Sequence, residues 1–351
     1  MKAELIKINP KNPEQEIIDR AGKILREGGL VAFPTETVYG LGGDGLNAES
    51  SARIYQAKGR PSDNPLIIHI AQMEDLETAA RRIPKGAVRL AERFWPGPLT
   101  MIFPKTDIVP YETTGGLDSV AVRMPGHPAA LALIRAGGGF VAAPSANRSG
   151  RPSPTLAAHV AEDLGDTVDM ILDGGRAGIG LESTIVDFTE DVPVILRPGY
   201  INQEMLVSCI GQVNMDPGLQ EQNRPPKAPG MRYRHYSPRA PLAIVQGEAG
   251  RAAAYINELA RIEEQKGGRA GILACRETEH LYKAGLVKSI GSRSLDETIA
   301  KHLYQVLREF DQEQVSCIYS ESFDTPRMGQ AVMNRLKKAA GGRVIQVPDD
   351  E

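Results

Sequence analysis

Apolar residues in this chain recur at two spacings, and the switches between them outline its architecture. Near the start, Ile17, Ile18, Ala21, Ile24 and Leu25 fall on one helical stripe and predict a first helix. Asn12 is placed to cap it, Pro13 to take its first turn and Gln15 to complete a box-like pair, while Gly28-Gly29 stops it. Residues 30–33 form a continuous apolar run too short for a helix, which reads as a buried strand. Similar runs at 66–70, 99–103, 120–123, 140–143, 170–172, 184–188 and 193–196 predict further strands. Helical spacing occupies 50–57, 85–95, 128–136 and 154–164. No helix separates the runs between 99 and 123 or between 184 and 196, so some neighbours pair antiparallel and the sheet is mixed.

From Gly211 to Pro241 the pattern lapses. Pro217, Pro225, Pro226, Pro229, Pro238 and Pro241 keep the backbone extended, which predicts a linker. A second alternation follows, with strands at 242–245, 271–274, 316–319 and 344–347 and helices at 251–264, 296–310 and 330–340. That regular spacing predicts a smaller, Rossmann-like parallel α/β domain. The expected organisation is a first domain over 1–210, a Pro-rich linker over 211–240 and a C-terminal domain over 241–351.

Composition narrows the function. With 41 Lys and Arg against 44 Asp and Glu, the net charge is -3, so any cationic patch is local. That favours a small anionic ligand over long nucleic acid. Cys209, Cys275 and Cys317 have neither disulfide-framework nor zinc spacing and read as free thiols in a reducing cytosol. No apolar signal core opens the chain and no stretch reaches transmembrane length, so the expected location is cytoplasmic, with no membrane partner.

Five polar motifs interrupt the apolar runs: Pro34-Thr-Glu-Thr37, Lys58-Gly-Arg-Pro61, Pro144-Ser-Ala-Asn147, Glu182-Ser-Thr184 and Arg197-Pro-Gly199. At strand ends along one sheet edge, they would stand where open α/β sheets bind ligands. Thr35, Glu36 and Thr37 equally suit a capped turn. Lys58 and Arg60 suit a helix end, yet Gly59 lets backbone approach a ligand and two cations there can neutralise a triphosphate, with Asn64 extending the loop. Ser145, Asn147 and Ser153 exceed what a turn needs and read as a phosphate cradle. Arg123 ends a buried run and requires an anionic partner, for which a ligand carboxylate is a natural choice. His69, among apolar neighbours, reads as a satisfied core residue. Gly40-Leu-Gly-Gly-Asp-Gly45 spells the dinucleotide fingerprint but lies too far from its strand end, and reads as a flexible turn. In the linker, Arg232-Tyr-Arg-His-Tyr236 reads as a strap that brings Arg234, His235 or Tyr236 to the ligand.

Taken in order, these motifs resemble the YrdC-like domain of threonylcarbamoyl-AMP synthases over residues from about 10 to 210, and the remainder resembles the long, two-domain form of that family. Ala228 departs from it, standing where Ser is expected before Pro-Gly-Met. The resemblance implies a twisted mixed sheet with helices around a concave cleft. It also implies that L-threonine, bicarbonate and ATP, with Mg²⁺, give threonylcarbamoyl-AMP and pyrophosphate. The adenylate would pass to the tRNA threonylcarbamoyl transferase machinery for modification of adenosine 37, with a weak contact to RNA. By the same resemblance Thr37, His69, Arg123 and Ser183 would hold threonine, supported by Thr35 and Ala143. Lys58 and Arg60 would be catalytic and, with Asn64, Ser119, Ser145, Asn147, Ser153 and Arg197, would hold ATP. His235 or Tyr236 would close over the nucleotide, and no residue would ligate a metal. Two alternatives fit less well. An RNA-binding module conflicts with the net charge and with an aromatic content of 5%. A carbamoyltransferase of the hydrogenase-maturation type would carry zinc fingers that this chain lacks.

Overall fold

The computed structural model describes residues 2–219 and 235–347. These form two compact units, one holding 2–149, 153–178 and 182–219, the other 150–152, 179–181 and 235–347.

In the first unit, β1 (Glu4–Lys7), α1 (Gln15–Arg26), β2 (Val31–Phe33), β3 (Gly40–Asp44), α2 (Ala48–Lys58) and β4 (Ile67–His69) come first. Next are α3 (Glu74–Ala79), α4 (Lys85–Phe94), β5 (Leu99–Pro104), α5 (Tyr111–Thr114), β6 (Ser119–Arg123), α6 (Pro128–Ala136) and β7 (Val141–Ala142). Then α7 (Ala157–Leu164), β8 (Met170–Asp173), β9 (Thr184–Asp187), β10 (Val194–Arg197), α8 (Gln203–Ile210) and β11 (Asn214–Met215) complete it. The strands make one eleven-stranded sheet in the order β1-β8-β2-β3-β7-β4-β6-β5-β9-β10-β11. Parallel pairs such as β4 with β6 occur beside antiparallel ones such as β5 with β6, so the sheet is mixed, as the sequence predicts.

The continuous apolar runs are explained by burial on both faces. Val31 and Phe33 of β2 pack with Ile18 and Leu25 of α1 and Leu133 of α6, while Leu30 and Ala32 pack with Ile54 of α2 and Val160 of α7. Farther along, Met101, Phe103, Val120 and Val122 join Leu90 of α4 and Leu206 of α8. Phe103 and Phe188 stack there with ring centroids 6.0 Å apart.

Three expectations are corrected. The helix α1 begins after Glu14, not at Asn12, because Asn9 Oδ1 instead accepts from the amides of Lys11 and Asn12 at 3.0 and 3.1 Å and folds them into a turn. The glycine-rich segment read as a flexible turn is β3, paired antiparallel to β2 and β7. Its glycines permit close packing: a Cβ on Gly42 would lie 2.9 Å from Val141 Cγ1 and 3.0 Å from Phe33. Lastly, the segment read as linker opens with β11, parallel to β10, so the first unit runs past residue 210.

The second unit contains β12 (Leu242–Gln246), α9 (Ala249–Gln265), β13 (Ala270–Ala274), β14 (Leu286–Ser289), α10 (Asp296–Gln312), β15 (Cys317–Glu321), α11 (Gly329–Ala339) and β16 (Val344–Gln346). All its strand pairs are parallel, in the order β14-β13-β15-β12-β16. Ala270, Ile272 and Ala274 pack with Ala253 and Ile256 of α9, while Gly271 turns to Phe310 of α10. A parallel sheet covered on both faces is what the regular spacing predicts. No helix among the described residues is long and apolar enough to cross a membrane.

Candidate active site

Because the sheet is mixed, carboxyl ends of strands point to both of its edges, and the expectation of five motifs on one edge fails. The strands β4 and β6 run parallel with Ile67 opposite Ala121 and His69 opposite Arg123. His69 and Arg123 therefore share the carboxyl ends of these strands, whereas Ser119 starts β6 and Asn64 precedes β4. Hydrogen bonds gather most of the predicted residues of the first unit into two clusters.

The first centres on Arg123. Its Nη2 donates to Glu36 Oε1 at 2.5 Å, its Nη1 to Thr37 Oγ1 at 3.0 Å and its Nε to the Gly97 carbonyl at 3.2 Å. Thr35 shapes the turn that delivers Glu36 and Thr37: its Oγ1 accepts from the amides of Thr37 and Val38 and lies 2.8 Å from Thr37 Oγ1. Opposite Arg123 in β5 is Thr100, whose Oγ1 lies 2.7 Å from Ser183 Oγ. Arg197 donates from Nε to the Ser183 carbonyl at 3.0 Å and from Nη2 to Ser183 Oγ at 3.1 Å. Ser153 Oγ donates to Glu182 Oε1 at 2.5 Å, next to Ser183. Thus Arg197, assigned by resemblance to ATP, is bonded to a residue assigned to threonine. Neither Thr100 nor Glu182 has a role that the motif pattern predicts. A lone hydroxyl inside the apolar run 99–103 was the available signal for Thr100.

Lys58 organises the second cluster. It is buried at the end of α2, and its Nζ donates to the carbonyls of Ser145 and Asn147. Ser145 Oγ donates to Asn147 Oδ1 at 2.6 Å, and Gly40 of β3 bridges to Ser145. Arg60 donates from Nε to the Asn64 carbonyl at 3.2 Å and from Nη2 to that of Pro65 at 3.0 Å. Gly59, at φ 60°, supplies the left-handed turn that ends α2 and sends Arg60 back toward Asn64. Ala143 immediately precedes the Pro144–Asn147 turn, its amide donating to the Ile67 carbonyl at 2.9 Å. His235 and Tyr236 belong to the second unit, where Tyr236 stacks on Tyr304 at 5.2 Å. Arg234 and Ala228 lie outside the described residues.

His69 is fully buried, and its Nδ1 donates to the Ile67 carbonyl at 3.2 Å. Burial first, then the adjacent Arg123 charge, lowers its pKa from 6.5 to about 3, so the ring is neutral. An unfolded chain regains the ordinary value and binds a proton that the native state refuses. Stability is therefore unaffected above pH 6.5 and falls between 6.5 and about 3. Urea unfolding should show a loss of about 2 kcal/mol on going from pH 6.5 to 5, a slope absent in His69→Asn. An equal slope in that variant would remove His69 as the cause.

A family model described as "Telomere recombination" matches residues 23–199, and one described as "Threonylcarbamoyl-AMP synthase, C-terminal domain" matches residues 201–341. The threonylcarbamoyl-AMP synthase of Bacillus subtilis is 51% identical over 330 residues, covering 94% of each chain. The chain belongs to the threonylcarbamoyl-AMP synthase family. The crystal structure of Pyrococcus abyssi Sua5 complexed with L-threonine matches with a TM-score of 0.93 at 46% identity, covering 98% of this chain and 99% of that one. A second structure of that Sua5, with alanines replacing a His and the following Tyr, also gives 0.93 and covers 99% of both chains. Membership of the threonylcarbamoyl-AMP synthase family, an adenylate-forming group of enzymes, bears out the resemblance read from the motifs and the two-domain form expected of it.

Proposed function

We propose that this chain joins L-threonine, bicarbonate and ATP into threonylcarbamoyl-AMP, releasing pyrophosphate and water. The observation that carries the reading is the Arg123 cluster, a buried guanidinium flanked by hydroxyls, in a chain 46% identical to a protein solved with L-threonine. Threonine's carboxylate would take the remaining N–H groups of Arg123, with Thr37, Ser183, neutral His69 and the Ala143 backbone around the rest of it. Amine and bicarbonate condense to a carbamate and water. A carbamate oxygen then attacks the α-phosphorus, and pyrophosphate leaves.

ATP would lie along Lys58, Arg60, Asn64, Ser119, Ser145, Asn147, Ser153 and Arg197. These cations and small donors suit the charge that builds on the phosphates, and they need no covalent nucleophile. Among the described residues no group of three His, Cys, Asp or Glu side chains is arranged to hold a metal. Mg²⁺ would arrive on the ATP phosphates, as the resemblance implies. His235 and Tyr236 remain the residues that the resemblance assigns to the nucleotide. The product would go, in the cytoplasm, to the tRNA threonylcarbamoyl transferase machinery, with RNA touching this chain only weakly.

The test is pyrophosphate release by the purified protein from Mg-ATP. Release should require threonine and bicarbonate together. Release that ignores threonine, or RNA binding with no release at all, would defeat the reading.

A further inference from the structure

Glu36 has one carboxylate oxygen accounted for and one that is not. Its Oε1 accepts from Arg123, whereas Oε2 is buried and has no hydrogen-bond partner. The local turn does not need this carboxylate, because Thr35 Oγ1 accepts from both turn amides. A buried carboxylate oxygen without a donor is costly and calls for an explanation.

Space beside it supplies one. A methyl carbon built on Gly126 would have as its nearest neighbours Gly97 Cα and the Pro96 carbonyl oxygen, each at 3.5 Å, and Glu36 Cδ at 3.6 Å. Those are ordinary van der Waals distances, so a methyl-sized gap lies there. Gly126 itself is exposed. An ammonium is about methyl-sized and carries three donors, and this gap offers it a carboxylate and a carbonyl as acceptors. His127, the neighbouring titratable group, accepts from the Ala129 amide through Nδ1; burial lowers its pKa and the Glu36 charge opposes that shift.

The geometry points to Glu36 as the residue that receives the amino group of the amino-acid substrate, in the gap walled by Pro96, Gly97 and Gly126. This deepens the threonine reading above and rests on it. An α-amino acid presents its carboxylate and ammonium one carbon apart, and Arg123 with Glu36 presents the complementary pair of charges at 2.5 Å. The pair selects zwitterions over simple hydroxy acids.

The experiment is NMR-detected titration of the full chain with L-threonine and with 3-hydroxybutanoate, which lacks the ammonium. Wild type should prefer threonine by about tenfold or more, the difference expected for one charge-assisted contact. Glu36→Gln should abolish that preference by weakening threonine alone. Gly126→Ala, which fills the gap without touching either charge, should do the same. Equal weakening of both ligands by Glu36→Gln would mean that Glu36 acts only through Arg123 and would overturn the assignment. Equal affinity of wild type for both ligands would also overturn it. If wild type binds neither, the threonine pocket itself falls, and the assignment with it.

Discussion

Arg123→Ala is expected to lower threonine-dependent pyrophosphate release by about 10²- to 10³-fold, the scale set by removing one preorganised donor group at a reacting centre. The guanidinium links the Glu36 turn, Thr37 and the Gly97 loop, so its loss strikes both the proposed carboxylate site and the frame around it. Removing one member of a buried pair also leaves the other uncompensated, here a Glu36 side chain only 19% exposed. A stability loss of about 3 kcal/mol should accompany the activity loss. Arg123→Lys separates the two effects. It keeps the charge near Glu36 but cannot reproduce the planar fork, so it should recover stability more than activity. The measurement is initial rate against threonine concentration for all three proteins, with urea unfolding alongside. A threonine KM unchanged in Arg123→Ala would remove this residue from the substrate site.

Lys58→Met is expected to cut kcat/KM for ATP by about 10²-fold or more while leaving threonine binding within a few-fold of wild type. Methionine keeps most of the buried stem and deletes only the ammonium. That group ties the Ser145 and Asn147 carbonyls to the end of α2, so it is a buried cation bonded directly to the expected phosphate loop. Steady-state rates against ATP, with threonine affinity measured separately, would decide. Equal loss for both substrates would indicate a collapsed loop rather than a missing phosphate contact.

Most strands of the first unit were legible because they are buried on both faces and read as unbroken apolar runs, as Leu30 to Phe33 shows. The strand β3 was not, because Gly40, Gly42 and Gly43 contribute no apolar signal; what selects them is the closeness of Val141, Phe33 and Ile54. Exposed β1 and two-residue β11 were too polar or too short to register. Motif order identified the residue types of the site but not their partners. That Arg123 would face Glu36 depends on a turn meeting a strand 87 residues away, and no local pattern carries that pairing. The sharing of Ser183 between Thr100 and Arg197 likewise follows from β5 lying between β6 and β9.

The strand order has a consequence for how the molecule is made. Glu4 of β1 pairs with Met170, Val31 of β2 with the same residue, and Leu99 of β5 with Thr184. A nascent chain emerging from the ribosome therefore carries β1 without its partner, and apolar β2 with one edge open, until most of the first unit has been synthesised. Such long-range closure makes for slow folding and a lengthy interval of exposed sticky edges. The helices α1 and α2, which form locally and can shield β2 from either face while it waits, become the natural guardians of the half-built sheet.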